Sequence, residues 1–325
     1  MHNLVLFLKY VKQRFYLYRC VFKCELGNVA FINWWYENPE ESWFYKLSKF
    51  YTGNKKLVFC SVFGPHKNIT NLDSDSNFIV FYSGENLEKF DTIGVHSKYY
   101  KKLINNRVKK YGDYCNEYTK LSLGFGNKGF INYLRLPLWV IRYFEPDSSL
   151  ELISRKLENY KIYKNNFREN AASLLSSHDL GGTRAFVINE INDIVNIVSA
   201  GKFYHNTGDF YVDDKNEFLK RYKFNICAEN VDAPGYVSEK VFDAIFSGSI
   251  PIYLGSKGSV ELDILNSDRI IIFKYGEDNS KQKELLRSLV SNEDLYQEFW
   301  NRDAFKEGAA ISINLMLNML REKIR

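Results

Sequence analysis

The sequence predicts an α/β protein of two facing Rossmann-like domains, and three observations carry that prediction. Short apolar runs alternate with polar or helix-period segments along both halves of the chain. A polar segment led by Pro146, from Glu145 to Asn166, separates the halves near residue 150. In the second half, two strand–loop–helix units each place a basic residue in the first turn of their helix.

In the first half, Val29 to Trp35, Leu57 to Phe63, Phe78 to Tyr82, Thr92 to Val95 and Leu121 to Leu123 read as strands of an open sheet, with helical stretches between some of them. Tyr133 to Phe144 closes this half, so the expected domains are 1–150 and 151–325.

The second sheet starts with Asn170 to Ser177. His178, Asp179, Leu180, Gly181 and Gly182 then form a loop, and Thr183 can cap a helix through Ile191 with Arg184 in its first turn. The next unit opens with the strand Phe224 to Ala228, which leads at once into Glu229 and Asn230 and a loop from Val231 to Gly235. From Ser238, read as an N-cap, apolar residues recur at Val241, Phe242, Ile245 and Phe246, and Gly248 ends that helix. Ile250 to Leu254 and Arg269 to Phe273 follow as strands. Lys281 to Arg325 reads as helical, ending in the amphipathic Ile311 to Ile324.

Lys240 stands out, because a cation in a first helical turn faces the positive end of the helix dipole at a cost of up to about 1 kcal/mol. An anionic ligand would remove the conflict; the alternative is that Lys240 points to water and pairs with Glu239 or Asp243. With Arg184, it would sit on the carboxyl edge of one parallel sheet, a place suited to a diphosphate. The chain has neither a G-x-x-x-x-G-K-[ST] loop nor a G-x-G-x-x-G fingerprint, so the usual phosphate loops do not explain the pattern.

Composition narrows the classes. The net charge of +5 is a mild excess that would help draw in an anionic ligand or surface. The densest basic cluster, Arg107, Lys109 and Lys110, reads as a solvated face, which argues against nucleic acid. The 5 cysteines are an odd number without metal-ligand spacing, so reduced thiols in a cytoplasm fit better than disulfides or zinc. Asp73-Ser74-Asp75 has the form of a D-x-D metal motif but lies in a polar turn before a strand, and is rejected as a metal site. Leu4 to Leu8 is interrupted by Lys9 and is too short for a membrane span or signal peptide. Lys9, Lys12, Arg14 and Arg19 among aromatics would let this segment lie on an anionic inner leaflet; docking on its own domain is the alternative.

Glu229-Asn230, then Tyr236-Val237-Ser238-Glu239-Lys240, then Ile250-Pro251-Ile252 form an ordered series. It resembles the signature of the inverting, GDP-fucose-dependent α-1,3-fucosyltransferases, most closely the bacterial members. The likeness is dense from about Asn165 to Gly255, with islands at Asn33-Trp34-Trp35, Phe81 to Asn86 and Asn132 to Leu138. It implies the GT-B glycosyltransferase architecture, with 1–150 binding the acceptor and 151–325, including a C-terminal helix, binding GDP-fucose. The implied reaction moves L-fucose from GDP-β-L-fucose to a GlcNAc hydroxyl of a lactosamine-like glycan. The same fold with another GDP-sugar or acceptor, and a non-catalytic glycan-binding protein, stay open as alternatives.

Arg184 and Lys240 are the candidates for the diphosphate, the first as a fork and the second as a point charge. Glu85, after the strand Phe78 to Tyr82 and the turn at Gly84, is the candidate base, as the resemblance also implies; its alternative is an N-cap for Asn86 to Phe90. Relatives often carry Pro soon after this Glu, where this chain has Leu87-Glu88-Lys89. Glu239 is assigned to donor binding, and the resemblance adds Asn230 and Tyr236, although Tyr236 could equally be a core ring. One of Trp34 and Trp35 is expected to face an acceptor sugar and the other the core, since adjacent strand residues point opposite ways. No cofactor or metal is required, although a divalent cation could stimulate activity.

Overall fold

The computed structural model describes residues 23–34, 38–87, 111–126, 129–164, 166–179, 181–208, 212–258, 261 and 263–325. The expected strand Thr92 to Val95, the basic cluster Arg107, Lys109 and Lys110, the N-terminal segment around Leu4 to Arg19, and Trp35 lie outside these residues. The chain divides into two compact units, Met1–Ser148 with Leu315–Arg325, and Ser149–Asn314.

The first unit carries a sheet in the order β1 (Lys23–Leu26), β2 (Val29–Ile32), β3 (Lys56–Cys60), β4 (Asn77–Ser83), β5 (Leu121–Gly124), β6 (Tyr133–Arg135). Only β1 and β2 pair antiparallel, across a turn in which Gly27 has φ +61°. Every other pair is parallel. Parallel strands are covered on both faces, and the pleat distributes their side chains accordingly. Ile32, Val58, Cys60, Ile79 and Phe81 pack with Tyr111 and Tyr114. Phe31 and Phe59 turn the other way, against Trp34 and against Phe44 of α1 (Trp43–Leu47). Helices α2 (Lys67–Thr70) and α3 (Leu138–Tyr143) are the other α-helices described before Ser148.

The second unit begins with α4 (Leu150–Glu158), capped by the Ser149 hydroxyl, which accepts the Leu152 N–H at 3.2 Å. The expected polar connection is therefore a packed helix with Ile153 and Leu157 buried; its polar residues occupy the outer face. Its sheet joins β7 (Glu169–Leu174), β8 (Asn196–Ser199), β9 (Tyr222–Ala228), β10 (Ile250–Leu254) and β11 (Ile271–Phe273), all parallel, in the order β11-β10-β9-β7-β8. Helices α5 (Thr183–Ile191), α6 (Lys215–Leu219) and α7 (Lys240–Phe246) belong to the crossovers, and α8 (Ser280–Ser291) and α9 (Glu293–Trp300) follow the last strand. Helix α10 (Ala309–Ile324) ends the chain. Its last residues group with the first unit, where the sequence reading kept 151–325 together.

Two strand limits differ from expectation. Strand β2 stops at Ile32 because Asn33 takes φ +55°, which ends the extended run before Trp34. Arg269 closes a 3-10 turn ahead of β11, fully buried, with its Nε donating to the Trp300 carbonyl at 2.9 Å.

The order of the second sheet decides where a ligand can sit. The chain runs from β7 outward to β8, then returns to the other side of β7 to lay down β9. Loops after β7 and β9 therefore diverge to opposite directions along the sheet, which leaves a crevice at the carboxyl ends of these two strands. Both candidate cations follow these two strands.

Candidate functional site

The loop after β7 is built to deliver Arg184. Gly182 is left-handed at φ +70° and occupies the N-cap position of α5, which no side chain of its own can fill. Asp179 fills it instead: its Oδ1 accepts the Arg184 N–H at 3.2 Å and its Oδ2 the Ala185 N–H at 2.8 Å. Thr183, expected as the cap, lies inside the helix, and its hydroxyl donates to the Glu229 carbonyl at the end of β9. Gly181 lies so close to β9 that a Cβ there would meet the Asn230 carbonyl oxygen at 2.1 Å.

The Arg184 side chain is 4% exposed. Its Nη2 donates to Asn230 Oδ1 at 2.6 Å and its Nη1 to the His178 carbonyl at 2.9 Å, with Asp179 Oδ1 at 3.9 Å from Nη1. Burial lowers its pKa, and Asp179, Glu229, Tyr236 and Glu239 pull the other way. His178 titrates below its ordinary value for the same first reason, with Arg184 and Lys240 adding repulsion.

The loop after β9 gives Lys240 partners within the protein. Helix α7 starts at Lys240, with Glu239 at its N-cap and no side-chain cap bond. Ser238, expected as the cap, instead presents its N–H to Glu229 Oε1 and its hydroxyl to Oε2, both at 2.7 Å. Lys240 Nζ donates to the same Oε2 at 2.9 Å and to Ser238 Oγ at 2.8 Å. Lys240 thus has an internal anion, Glu229, rather than water with Glu239 or Asp243; Asp243 pairs with Lys215. Glu229 itself is fully buried. It turns inward beside Gly255, where a Cβ would come within 2.6 Å of the Glu229 Cγ. Burial lowers the Lys240 pKa, but the charges of Glu229 and Glu239 outweigh it, and the net shift is upward.

Arg184 and Lys240 are bonded to the adjacent residues Asn230 and Glu229, and the charges of both bear on His178. Asp179 and Glu229 offset their charge, but these carboxylates are occupied by hydrogen bonds on the protein side. The Lys240 side chain keeps 21% of its surface exposed. Tyr236 is buried, its carbonyl accepting the Tyr253 hydroxyl at 3.5 Å, and Glu239 is half-buried. The site thus gathers Arg184, Asn230, Tyr236, Glu239 and Lys240 in one unit. Sequence reasoning missed Asp179 as the helix cap and Glu229 as the lysine's partner; the glycines at 181 and 255 were the only local signs of such close packing.

In the first unit, Glu85 is exposed directly after β4. Its N–H donates to Ser83 Oγ at 3.2 Å, and the buried Asn86 and Leu87 anchor the far side of the turn. The alternative role for Glu85, capping Asn86 to Phe90, extends outside the described residues. Trp34 is 2% exposed, edge-on to Phe31 and Phe44, so it is core and not an acceptor surface. Asp73 spends its carboxylate on the Asp75 N–H at 2.9 Å and the Ser76 hydroxyl at 2.5 Å, as a turn brace. Among the described residues, no group of three or more His, Cys, Asp or Glu is arranged to hold a metal, and no helix is long and apolar enough to cross a membrane.

Two parallel-sheet α/β domains, the second with its crevice between β7 and β9, make this a protein of the GT-B fold class. A crystal structure of an α1,3-fucosyltransferase with GDP superposes with a TM-score of 0.60 at 23% identity, covering 90% of this chain and 89% of the other. One with GDP-fucose gives 0.58 at 21%, covering 90% of each. The α-(1,3)-fucosyltransferase FucT of Helicobacter pylori is 32% identical over 161 residues, which span 42% of this chain and 34% of that relative. Residues 165–317 match the model of the glycosyltransferase family 10 (fucosyltransferase) C-terminal domain.

Proposed function

We propose that this chain is an α-1,3-fucosyltransferase, moving L-fucose from GDP-β-L-fucose to a GlcNAc hydroxyl of a lactosamine-like glycan with inversion. One observation carries the reading: Arg184 and Lys240 are bonded to adjacent residues, Asn230 and Glu229, at the carboxyl end of β9, within the residues that match the family model. Paired cations there suit the leaving diphosphate, and the relatives' GDP and GDP-fucose complexes point to the same donor.

In the proposed reaction, Glu85 takes the proton of the acceptor hydroxyl, whose oxygen attacks the anomeric carbon opposite the leaving group. The bond from that carbon to the diphosphate oxygen breaks through an oxocarbenium-like transition state, and the electron pair leaves with GDP. Arg184 and Lys240 hold the charge that grows on the diphosphate, while Asn230, Tyr236 and Glu239 contact the donor. Beyond the donor and the acceptor glycan the reaction requires no cofactor, with a divalent cation as a stimulant. Residues 1–150 take the acceptor, and the enzyme acts in the cytoplasm of a bacterium.

The test supplies labelled GDP-fucose with type 1 and type 2 disaccharides. Acceptor-dependent GDP release and a fucosylated type 2 product are expected. Transfer from a different GDP-sugar alone would replace the donor assignment, and GDP-fucose binding without turnover on any acceptor would make the chain a binding protein.

A further inference from the structure

We propose that Glu229 is a positioning residue for the diphosphate, acting through Lys240 and Ser238 without touching the donor. This rests on the reading of Lys240 as a diphosphate ligand. Glu229 has no exposed surface, and its two oxygens are taken by the Ser238 N–H, the Ser238 hydroxyl and the Lys240 ammonium. Lys240 Nζ, Ser238 Oγ and Glu229 Oε2 form a closed triangle with sides of 2.9, 2.8 and 2.7 Å. An ammonium has three donors, and the triangle uses two of them. The third is left for an acceptor on the side where Lys240 is exposed. A flexible four-carbon chain is thereby held in one arrangement before the ligand arrives, which lowers the entropy lost on binding.

The Glu229 backbone is itself tied to the neighbouring elements on both sides. The Glu229 N–H donates to the Leu254 carbonyl of β10 at 2.8 Å, and its carbonyl accepts the Thr183 hydroxyl at the start of α5. The next residue, Asn230, accepts from Arg184 at 2.6 Å. One dipeptide at the end of β9 therefore sets both cations. Stability gives little reason to bury such a pair, since desolvating two charges offsets most of their attraction. The titratable groups around Lys240 are the carboxylates Glu229 and Glu239, the Arg184 guanidinium of α5, the His178 ring of the loop after β7, whose pKa is lowered, and the Cys227 thiol of β9, whose pKa burial raises.

The experiment compares Glu229→Gln, Lys240→Ala and the double variant in the full chain. GDP dissociation constants come from calorimetry, and Lys240 acylation is followed by mass spectrometry across alkaline pH. Glu229→Gln is expected to weaken GDP by about tenfold, and Lys240→Ala to do at least as much. The double variant should be no worse than Lys240→Ala, because Glu229 has nothing left to position. Acylation of Lys240 should begin at lower pH in Glu229→Gln than in wild type. Ser238→Ala, which removes one corner of the triangle, should show the same pattern with a smaller loss and serves if Glu229→Gln does not fold.

A loss in Lys240→Ala with GDP affinity unchanged in Glu229→Gln, or single losses that multiply in the double variant, would overturn the role of Glu229. Wild-type GDP affinity in Lys240→Ala would instead remove the donor reading and this proposal with it. The acylation profile would still report whether Glu229 holds the lysine.

Discussion

The Arg184 guanidinium and the Asn230 side-chain oxygen are bonded at 2.6 Å, joining the helix after β7 to the loop after β9. The bond spans the crevice where the strand order reverses, so Asn230 reaches the proposed diphosphate site through Arg184 as well as by any contact of its own. Asn230→Ala should weaken GDP binding by about 1.5 to 3 kcal/mol, the worth of a hydrogen bond to a charged group, and calorimetry will measure it.

Glu85 belongs to the first unit and the proposed donor residues to the second. Glu85→Gln is expected to lower kcat by about 10² or more with little change in GDP affinity, since a general base acts in the chemical step. Steady-state kinetics beside GDP titration will separate the two, and an unaltered kcat would take Glu85 out of the reaction.

Gly181→Ala should harm both folding and donor binding. The new Cβ would meet backbone, the Asn230 carbonyl oxygen, at 2.1 Å, so the β7 loop must retreat from β9. Overpacking of this kind costs about 1 to 3 kcal/mol, readable in urea unfolding, and the GDP affinity should fall in parallel.

Trp34→Ala is expected to cost about 3 to 5 kcal/mol of stability, as for a buried aromatic cut to a methyl. Trp34→Phe should leave the acceptor KM unchanged, because this ring faces Phe31 and Phe44. A raised acceptor KM with normal stability would return Trp34 to the acceptor site.

The Glu229–Lys240 pair carries a pH signature. Folding raises the Lys240 pKa above its ordinary 10.5, because Glu229 and Glu239 outweigh the opposing effect of burial. The folded state then binds the proton more tightly, so this stabilisation is complete below the ordinary lysine value and is lost as pH rises through the higher folded value. Urea midpoints of wild type and Lys240→Met, followed from about pH 9 to 11, should converge as pH rises.

By itself, the sequence determined the class of fold, the strand–loop–helix units and the two basic residues that open their helices. These depend on neighbours a few residues apart, through apolar spacing and turn chemistry, and such patterns are written along the chain. The tertiary structure alone decided that β9 lies beside β7, that Glu229 turns inward to meet Lys240, and that Asp179 caps α5 from outside the helix. It also decided that Asn33 leaves the strand and sends Trp34 into the core. Buried polar groups must find partners wherever the packed sheet brings them, and that choice among distant residues is made by the fold as a whole.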